Sequence, residues 1–174
     1  MKEPGRISPP MFYADAMINT GDTIEILGEE AGHILQSRRY RPGDEIILTN
    51  GRGIRAQGII ESARGNSKLT VTINQSTELP LPATRKILAS ALPKGDRQGI
   101  MLGMAAQLGM NAFIPLICEH SVVKYKPAMA ERWRRIITAA CKQSRQCHFP
   151  EILGSSSVDH LVGKQVEGLS LIHI

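Results

Sequence analysis

The sequence predicts a mixed α/β chain, with a small antiparallel β-barrel followed by a parallel α/β sheet. Three observations predict it. From Met11 to about Ser76, short β-rich runs alternate with turn sequences. At Glu78-Leu79-Pro80-Leu81-Pro82, two prolines force an extended path and remove backbone donors. Beyond them, strand-length apolar runs alternate with helical periodicity, the order of a parallel sheet. The expected domains are 1–78 and 79–174.

In the first domain, Thr23 to Leu27 (TIEIL), Glu45 to Leu48 and Lys68 to Ile73 (KLTVTI) alternate apolar and polar residues. That period of two fits half-buried strands. Between them lie Asn19-Thr20-Gly21-Asp22, Arg41-Pro42-Gly43-Asp44 and Asn50-Gly51-Arg52-Gly53, which supply the fixed or positive φ that turns need. Short strands at this spacing suggest a small barrel. Gly28 to Leu35 (GEEAGHIL) breaks the alternation and predicts a helical turn.

In the second domain, Lys86 to Leu92 (KILASAL) and Ala112 to Ile117 (AFIPLI) read as strands covered on both faces. Ile100, Met101, Met104, Ala105 and Leu108 recur at helical spacing, and Gly109 is a natural C-cap. Met129, Trp133, Ile136, Ile137, Ala140 and Cys141 form the apolar stripe of a longer helix, opposite Arg132, Arg134, Arg135, Lys142 and Arg145. A short strand at Ile152-Leu153, a short helix over Val158 to Val162 and a last strand at Leu169 to Ile174 (LSLIHI) complete the pattern.

The 174 residues are enough for a real core. Lys and Arg outnumber Asp and Glu by 21 to 16, which fits a polyanionic partner. The three cysteines, Cys118, Cys141 and Cys147, are odd in number and contain no C-x-x-C pair. A disulfide framework or zinc ribbon is therefore not expected, and free thiols suggest a reducing, cytoplasmic setting. No metal is expected, because Cys141, Cys147 and His148 match no common ligand spacing. No apolar run has the length of a signal peptide core or a membrane span.

Two loops follow the parallel strands. Pro93-Lys94-Gly95-Asp96-Arg97 is neither G-x-G-x-x-G nor a P-loop, so nucleotide binding has no motif support. Lys94 and Arg97 either contact phosphates or sit on a tight βα turn with Asp96 as N-cap. Glu119-His120-Ser121-Val122-Val123-Lys124 either carries an acid or base (His120) and a phosphate contact (Lys124) or is a solvated loop. In the barrel, His33, Arg38, Arg39 and Arg41 cluster within nine residues, and Arg52 and Arg55 flank the NGRG turn. Arginines on a small barrel suit phosphate and base-edge contacts. Phe12, Tyr13 and Tyr40 are the nearby candidates for stacking.

Four segments, in order, carry a resemblance. They are GEEAGHILQSRRYRPGDEIILTNGRG (28–53), ALPKGDR (91–97), QLGMNAFIPLICEHSVVK (107–124) and ERWRRIITAACKQSRQCHFPEI (131–152). Together they resemble the RsmE family of SPOUT methyltransferases. The resemblance implies an N-terminal PUA-like β-barrel followed by a SPOUT-type α/β domain. It implies transfer of a methyl group from S-adenosylmethionine to N3 of one uridine in 16S rRNA within the small ribosomal subunit, by a homodimer. It assigns RNA contacts to His33, Arg39, Arg41 and Arg52, and further to Lys94, Arg97 and Lys124. No catalytic residue follows from it.

Some positions depart from the family pattern. Met104 stands where Lys is usual, Gln107 where Glu is common, and Arg38 where an apolar residue is usual. Lys142-Gln143-Ser144-Arg145-Gln146 replaces E-Q-x-G-R. The family's I-G-P-E-G-G loop and L-G-x-x-I-L-R-x-E-T-A segment, which tie the knot around the methyl donor, do not occur. An incomplete SPOUT domain without the knot, and no donor binding by this chain alone, are therefore expected. The alternative function is a non-catalytic RNA-binding module.

Overall fold

A computed structural model of the chain describes residues 9–163. They form two compact units, residues 9–83 with 138–149, and residues 84–137 with 150–163. The strand expected at 169–174 lies outside the described residues.

The first unit is a five-stranded sheet in the order β1-β3-β4-β5-β2. Its strands are β1 (Met11–Tyr13), β2 (Thr23–Leu27), β3 (Glu45–Thr49), β4 (Ile54–Arg64) and β5 (Lys68–Glu78). The path ends at β1 and β2, so the barrel is a curled half-barrel. One pairing differs from the antiparallel expectation, because β1 runs parallel to β3 with Met11 opposite Ile47. No hairpin joins these two strands, so their relative direction is not fixed by a turn.

The alternation in β2 has its expected outcome, with Ile24 and Ile26 buried between exposed neighbours. The 11-residue β4 has no counterpart among the expected alternating runs. Its register with β5 shifts at Gln57/Gly58 and at Ile60/Ser62. Each shift bends the ribbon and interrupts the period of two. A Cβ on Gly58 would meet Val71 Cγ1 at 2.7 Å and the Thr72 carbonyl oxygen at 2.8 Å, so the first bend requires glycine. Phe12, Ile18, Ile34, Leu48, Ile60 and Leu69 fill the concave side. Burying each such side chain stabilises the fold by about 1.5–3 kcal/mol.

The predicted helical turn is α1 (Gly28–Gly32), continued by a π-helical turn at His33–Ser37. It stops where Arg38 N–H donates to the His33 carbonyl (3.1 Å) and Tyr40 N–H to that of Ile34 (3.2 Å). Arg39 between them has φ +58°.

The second unit centres on β7 (Ala112–Ile117). It pairs in parallel with β6 (Ile87–Ala91), with β8 (Glu151–Ile152) and with β9 (Ser156–Ser157). A short helix, α4 (Val158–Gly163), follows β9. Between β6 and β7 runs α2 (Arg97–Gln107). Its C-terminus is a Schellman motif, in which Gly109 N–H donates to the Ala106 carbonyl and Met110 N–H to that of Ala105, each at 3.0 Å. Gly109 supplies the required positive φ, +78°.

The inward face of α2 is not the one its helical repeat marks. Gln98, Leu102 and Ala106 are buried, while Ile100, Met104 and Leu108 point outward, 59–73% exposed. This helix is apolar on most sides, so periodicity cannot choose its face. Its small residues decide, because Ile136 packs 3.2 Å from where a Cβ on Gly99 would stand.

Helix α3 (Met129–Ser144) has residues in both units. Within the second, Trp133 is edge-on to Phe113 (5.5 Å) and stacks on Tyr125 (5.6 Å). Within the first, Cys141 is buried, and Lys142 donates to both Glu30 carboxylate oxygens at 2.9 and 2.7 Å. Lys142 therefore leaves the solvated basic face expected for it. Arg132, Arg134, Arg135 and Arg145 are exposed.

Candidate functional site

Each unit presents its own basic surface. On the half-barrel, His33, Arg39 and Arg41 follow one another from the π-helical turn to the entry of β3. All three are exposed. Phe12 anchors this segment from below, with His33 and Tyr40 edge-on to it, each at 5.9 Å. Phe12 is 1% exposed, so it is not available for stacking on a base, contrary to expectation. Tyr13 is half-buried and its ring lies 5.4 Å from that of Phe149. Burial raises the Tyr40 hydroxyl pKa, reinforced by Asp44 and opposed by Arg38, so the hydroxyl stays protonated at neutral pH.

Arg39 occupies a left-handed position that glycine normally fills. A non-glycine residue there costs roughly 1–2 kcal/mol. Arg145 does the same after α3, with φ +60°, where Gln146 N–H donates to the Cys141 carbonyl at 3.0 Å. Both arginines thus carry a backbone cost that a glycine would avoid. Next to Arg39, the RPGD turn is fixed by Asp44, whose carboxylate accepts the Arg41 backbone N–H at 2.7 Å. No ion pair holds the Arg41 side chain among the described residues.

The structure does not bring Arg52 to this group. The turns 41–44 and 50–53 lie at opposite ends of β3, whose five residues span roughly 17 Å. Buried Asn50 shapes the NGRG turn by accepting the backbone N–H groups of Arg52 (2.9 Å) and Ile54 (3.2 Å). Gly51 and Gly53 have φ +71° and +100°. Cys147, His148 and Phe149 pack on the turn, and a Cβ on Gly53 would stand 2.5 Å from His148 Cε1. The Arg52 side chain forms an exposed ion pair with Asp15 at 3.3 Å, an interaction worth little in water.

In the α/β unit, the loops after β6 and β7 leave from the carboxyl edge of the sheet, where open α/β sheets bind ligands. A bridge between Leu92 and Val123 holds the two loops together. It makes neighbours of the segments carrying Lys94, Arg97 and Lys124, which are all exposed. None of the three has a carboxylate partner among the described residues. Gln98, 8% exposed, closes the first loop by donating from Nε2 to the Pro93 carbonyl at 2.8 Å. Asp96 sits at the N-cap of α2 without a side-chain capping bond, and lies 3.5 Å from Arg132 instead.

The second loop is closed by Ser121, whose N–H donates to the Cys118 carbonyl and whose Oγ accepts the Cys118 N–H. A cavity of about 190 Å³ lies beside it, lined in part by Leu116, Ser121, Val123, Lys124 and Tyr125. His120 is exposed on the turn.

Cys118 is partly exposed, and Cys141 and Cys147 are buried. Burial, with a smaller contribution from Cys147, pushes the Cys141 thiol pKa up to about 12. Such a thiol is neither nucleophile nor metal ligand at neutral pH. Among the described residues, no group of three or more His, Cys, Asp or Glu side chains forms a metal site, and no helix is long and apolar enough to cross a membrane.

Two family models match the chain. A family described as RNA methyltransferase domain matches residues 77–173, and one described as RNA methyltransferase PUA domain matches residues 26–74. Ribosomal RNA small subunit methyltransferase E of Bacillus subtilis is 32% identical over 152 residues, 83% of this chain and 58% of that protein. The protein of the same name from Mycobacterium bovis is 29% identical, over 87% of this chain and 59% of its own length. The chain thus spans somewhat under three-fifths of these relatives. A solved Legionella pneumophila protein, described as a methyltransferase in complex with the bound cofactor SAM, superposes with a TM-score of 0.82 at 28% identity. That match covers 95% of this chain and 70% of the other.

Proposed function

This chain belongs to the RNA methyltransferase family, and on that premise we propose that its protein methylates N3 of a specific uridine in 16S rRNA, using S-adenosylmethionine. The names of the curated relatives support the small-subunit rRNA target. The carrying observation in this chain is the pair of basic loops at the carboxyl edge of β6 and β7, joined through Leu92 and Val123. Lys94, Arg97 and Lys124 supply positive charge there to position rRNA phosphates. His33, Arg39 and Arg41, and Arg52 at the far end of β3, supply further contacts from the half-barrel.

The chemistry sets what such contacts must achieve. Uracil N3 becomes a good nucleophile only when its proton is lost, and a paired or stacked base must first be extruded. Cations near the base lower the cost of the developing anion. S-adenosylmethionine supplies the electrophilic methyl group. The 190 Å³ cavity beside β7 is smaller than the ~300–1,000 Å³ that buries a drug-sized ligand. We place the donor site outside the described residues and confine their proposed role to RNA. Calorimetric titration of this chain with S-adenosylmethionine is expected to give no binding heat, and micromolar affinity would contradict that assignment.

A cytoplasmic homodimer completes the proposal. The outward stripe of Ile100, Met104 and Leu108 supports it, as a contiguous apolar surface suited to self-association. The functional test is disruption of the encoding gene. Methylation at N3 blocks Watson–Crick pairing and stops reverse transcriptase. Disruption should abolish one such stop at a uridine of 16S rRNA. An unchanged set of stops would overturn the methyltransferase proposal, and salt-sensitive RNA binding retained alongside it would favour a non-catalytic RNA-binding module.

A further inference from the structure

The outer face of the β4–β5 ribbon carries a polar concavity that the contacts above do not use. Strand alternation puts Arg55 and Gln57 on one face of β4, opposite Thr77 and Gln75 of β5. These four side chains and Leu79 line a pocket of about 240 Å³. Leu79 is a fixed wall. Its N–H donates to the Gly53 carbonyl at 2.9 Å, and its carbonyl accepts from His148 Nε2 at 3.0 Å. The floor bends at the Gln57/Gly58 register shift, beside Gln57 of the lining.

The lining chemistry is specific. Arg55 is half-buried and has no carboxylate partner among the described residues. The Gln57 and Gln75 amides and the Thr77 hydroxyl make no hydrogen bond among the described residues. A phosphate offers acceptors only and would leave both glutamine carbonyls without a donor. A nucleobase edge offers donors and acceptors together. The volume falls below that of pockets for drug-sized ligands, as a single base requires.

We propose that this pocket takes one unstacked nucleobase of the bound RNA, with guanine preferred. Guanine O6 and N7 accept two bonds from a guanidinium, while its N1–H and N2 amino group donate to carboxamide oxygens. Adenine and the pyrimidines lack one half of that match. This inference rests on the RNA-binding reading above and adds to it a base-reading position on the half-barrel.

The test is fluorescence anisotropy at low salt with single-stranded heptauridine RNAs whose central base is G, A, C or U. The G oligomer should bind at least roughly fivefold more tightly than the others. Gln57→Ala combined with Gln75→Ala should erase that preference while leaving the salt dependence intact. Arg55→Lys keeps the charge, loses the fork of donors, and should also erase it. Arg41→Ala should instead weaken all four oligomers alike. The glutamines are exposed, and circular dichroism melting confirms that the variants fold. Equal affinity for the four wild-type oligomers, or a guanine preference surviving the double substitution, overturns the pocket alone. Absence of binding to any oligomer at low salt overturns the pocket and the RNA reading together.

Discussion

In the half-barrel, Phe12, Ile18, Ile34, Leu48, Ile60 and Leu69 are each at most 1% exposed, and among the described residues only Met17, Leu27 and Leu81 stand out as large exposed apolar side chains. In the α/β unit, eight such side chains are exposed among the described residues, including Ile100, Met104, Leu108, Ile117 and Val122. The contrast has a physical origin. The bent β4–β5 ribbon curls around its own apolar side, whereas α2 is apolar on most sides and can bury only one. The first unit keeps its apolar surface for stability and presents charge outward. The second presents apolar surface and charge together, as an interaction surface would.

Core truncation should separate the two regions most strongly. Ile60→Ala or Leu69→Ala should cost about 2–5 kcal/mol in urea denaturation. Met104→Ser or Leu108→Ser should stay within about 0.5 kcal/mol. Comparable losses from both pairs would remove the distinction. Next comes the Lys142–Glu30 pair, whose side chains are only 16% and 20% exposed. Lys142→Met should cost about 1–3 kcal/mol, because it strands a half-buried carboxylate. Adding Glu30→Gln should recover part of that loss in a double-mutant cycle, and simple additivity would show that the contact carries no coupling.

A smaller effect is expected at alkaline pH. The Cys141 pKa is about 12 in the folded chain against 9.0 for an ordinary thiol. The raised value means that the unfolded thiol ionises first. The contribution is therefore complete below pH 9 and is lost as pH rises from 9 toward 12. At pH 10 this amounts to about 1 kcal/mol. Cys141→Ala should flatten that part of the pH profile, and an unchanged slope would assign it to other groups. Smallest is Arg39→Gly, which should stabilise the fold by about 0.5–1 kcal/mol by relieving the left-handed position. The same variant should bind RNA less tightly. If RNA affinity is unchanged, Arg39 has no role that offsets its backbone cost.

Much of the fold is legible in local patterns. TIEIL and AFIPLI form strands at the expected bounds, and Gly109 caps α2 as its position after the last periodic residue implies. What pattern could not supply is set by distant contacts. The parallel β1–β3 pair, the outward stripe of α2 and the full length of β4 depend on register, on Gly99 and on the bend at Gly58. The candidate surfaces divide in the same way. Clustering of His33, Arg39 and Arg41 follows from adjacency in the chain, but the separation of Arg52 along β3 does not. The bridge that brings Lys94 and Arg97 beside the Lys124 loop has no local signal. Nor does the polar pocket, because Arg55 and Gln57 meet Thr77 and Gln75 only through the pairing of β4 with β5.

Both units are assigned RNA contacts through their cations, and salt dependence probes this most directly. Binding to purified small ribosomal subunits should weaken linearly in log–log form as potassium chloride rises, because each neutralised phosphate releases counterions. Arg41→Ala in the half-barrel and Lys94→Ala in the α/β unit should each lower that slope by about 1. A slope unchanged in both variants, or no binding at low salt, would contradict the assignment.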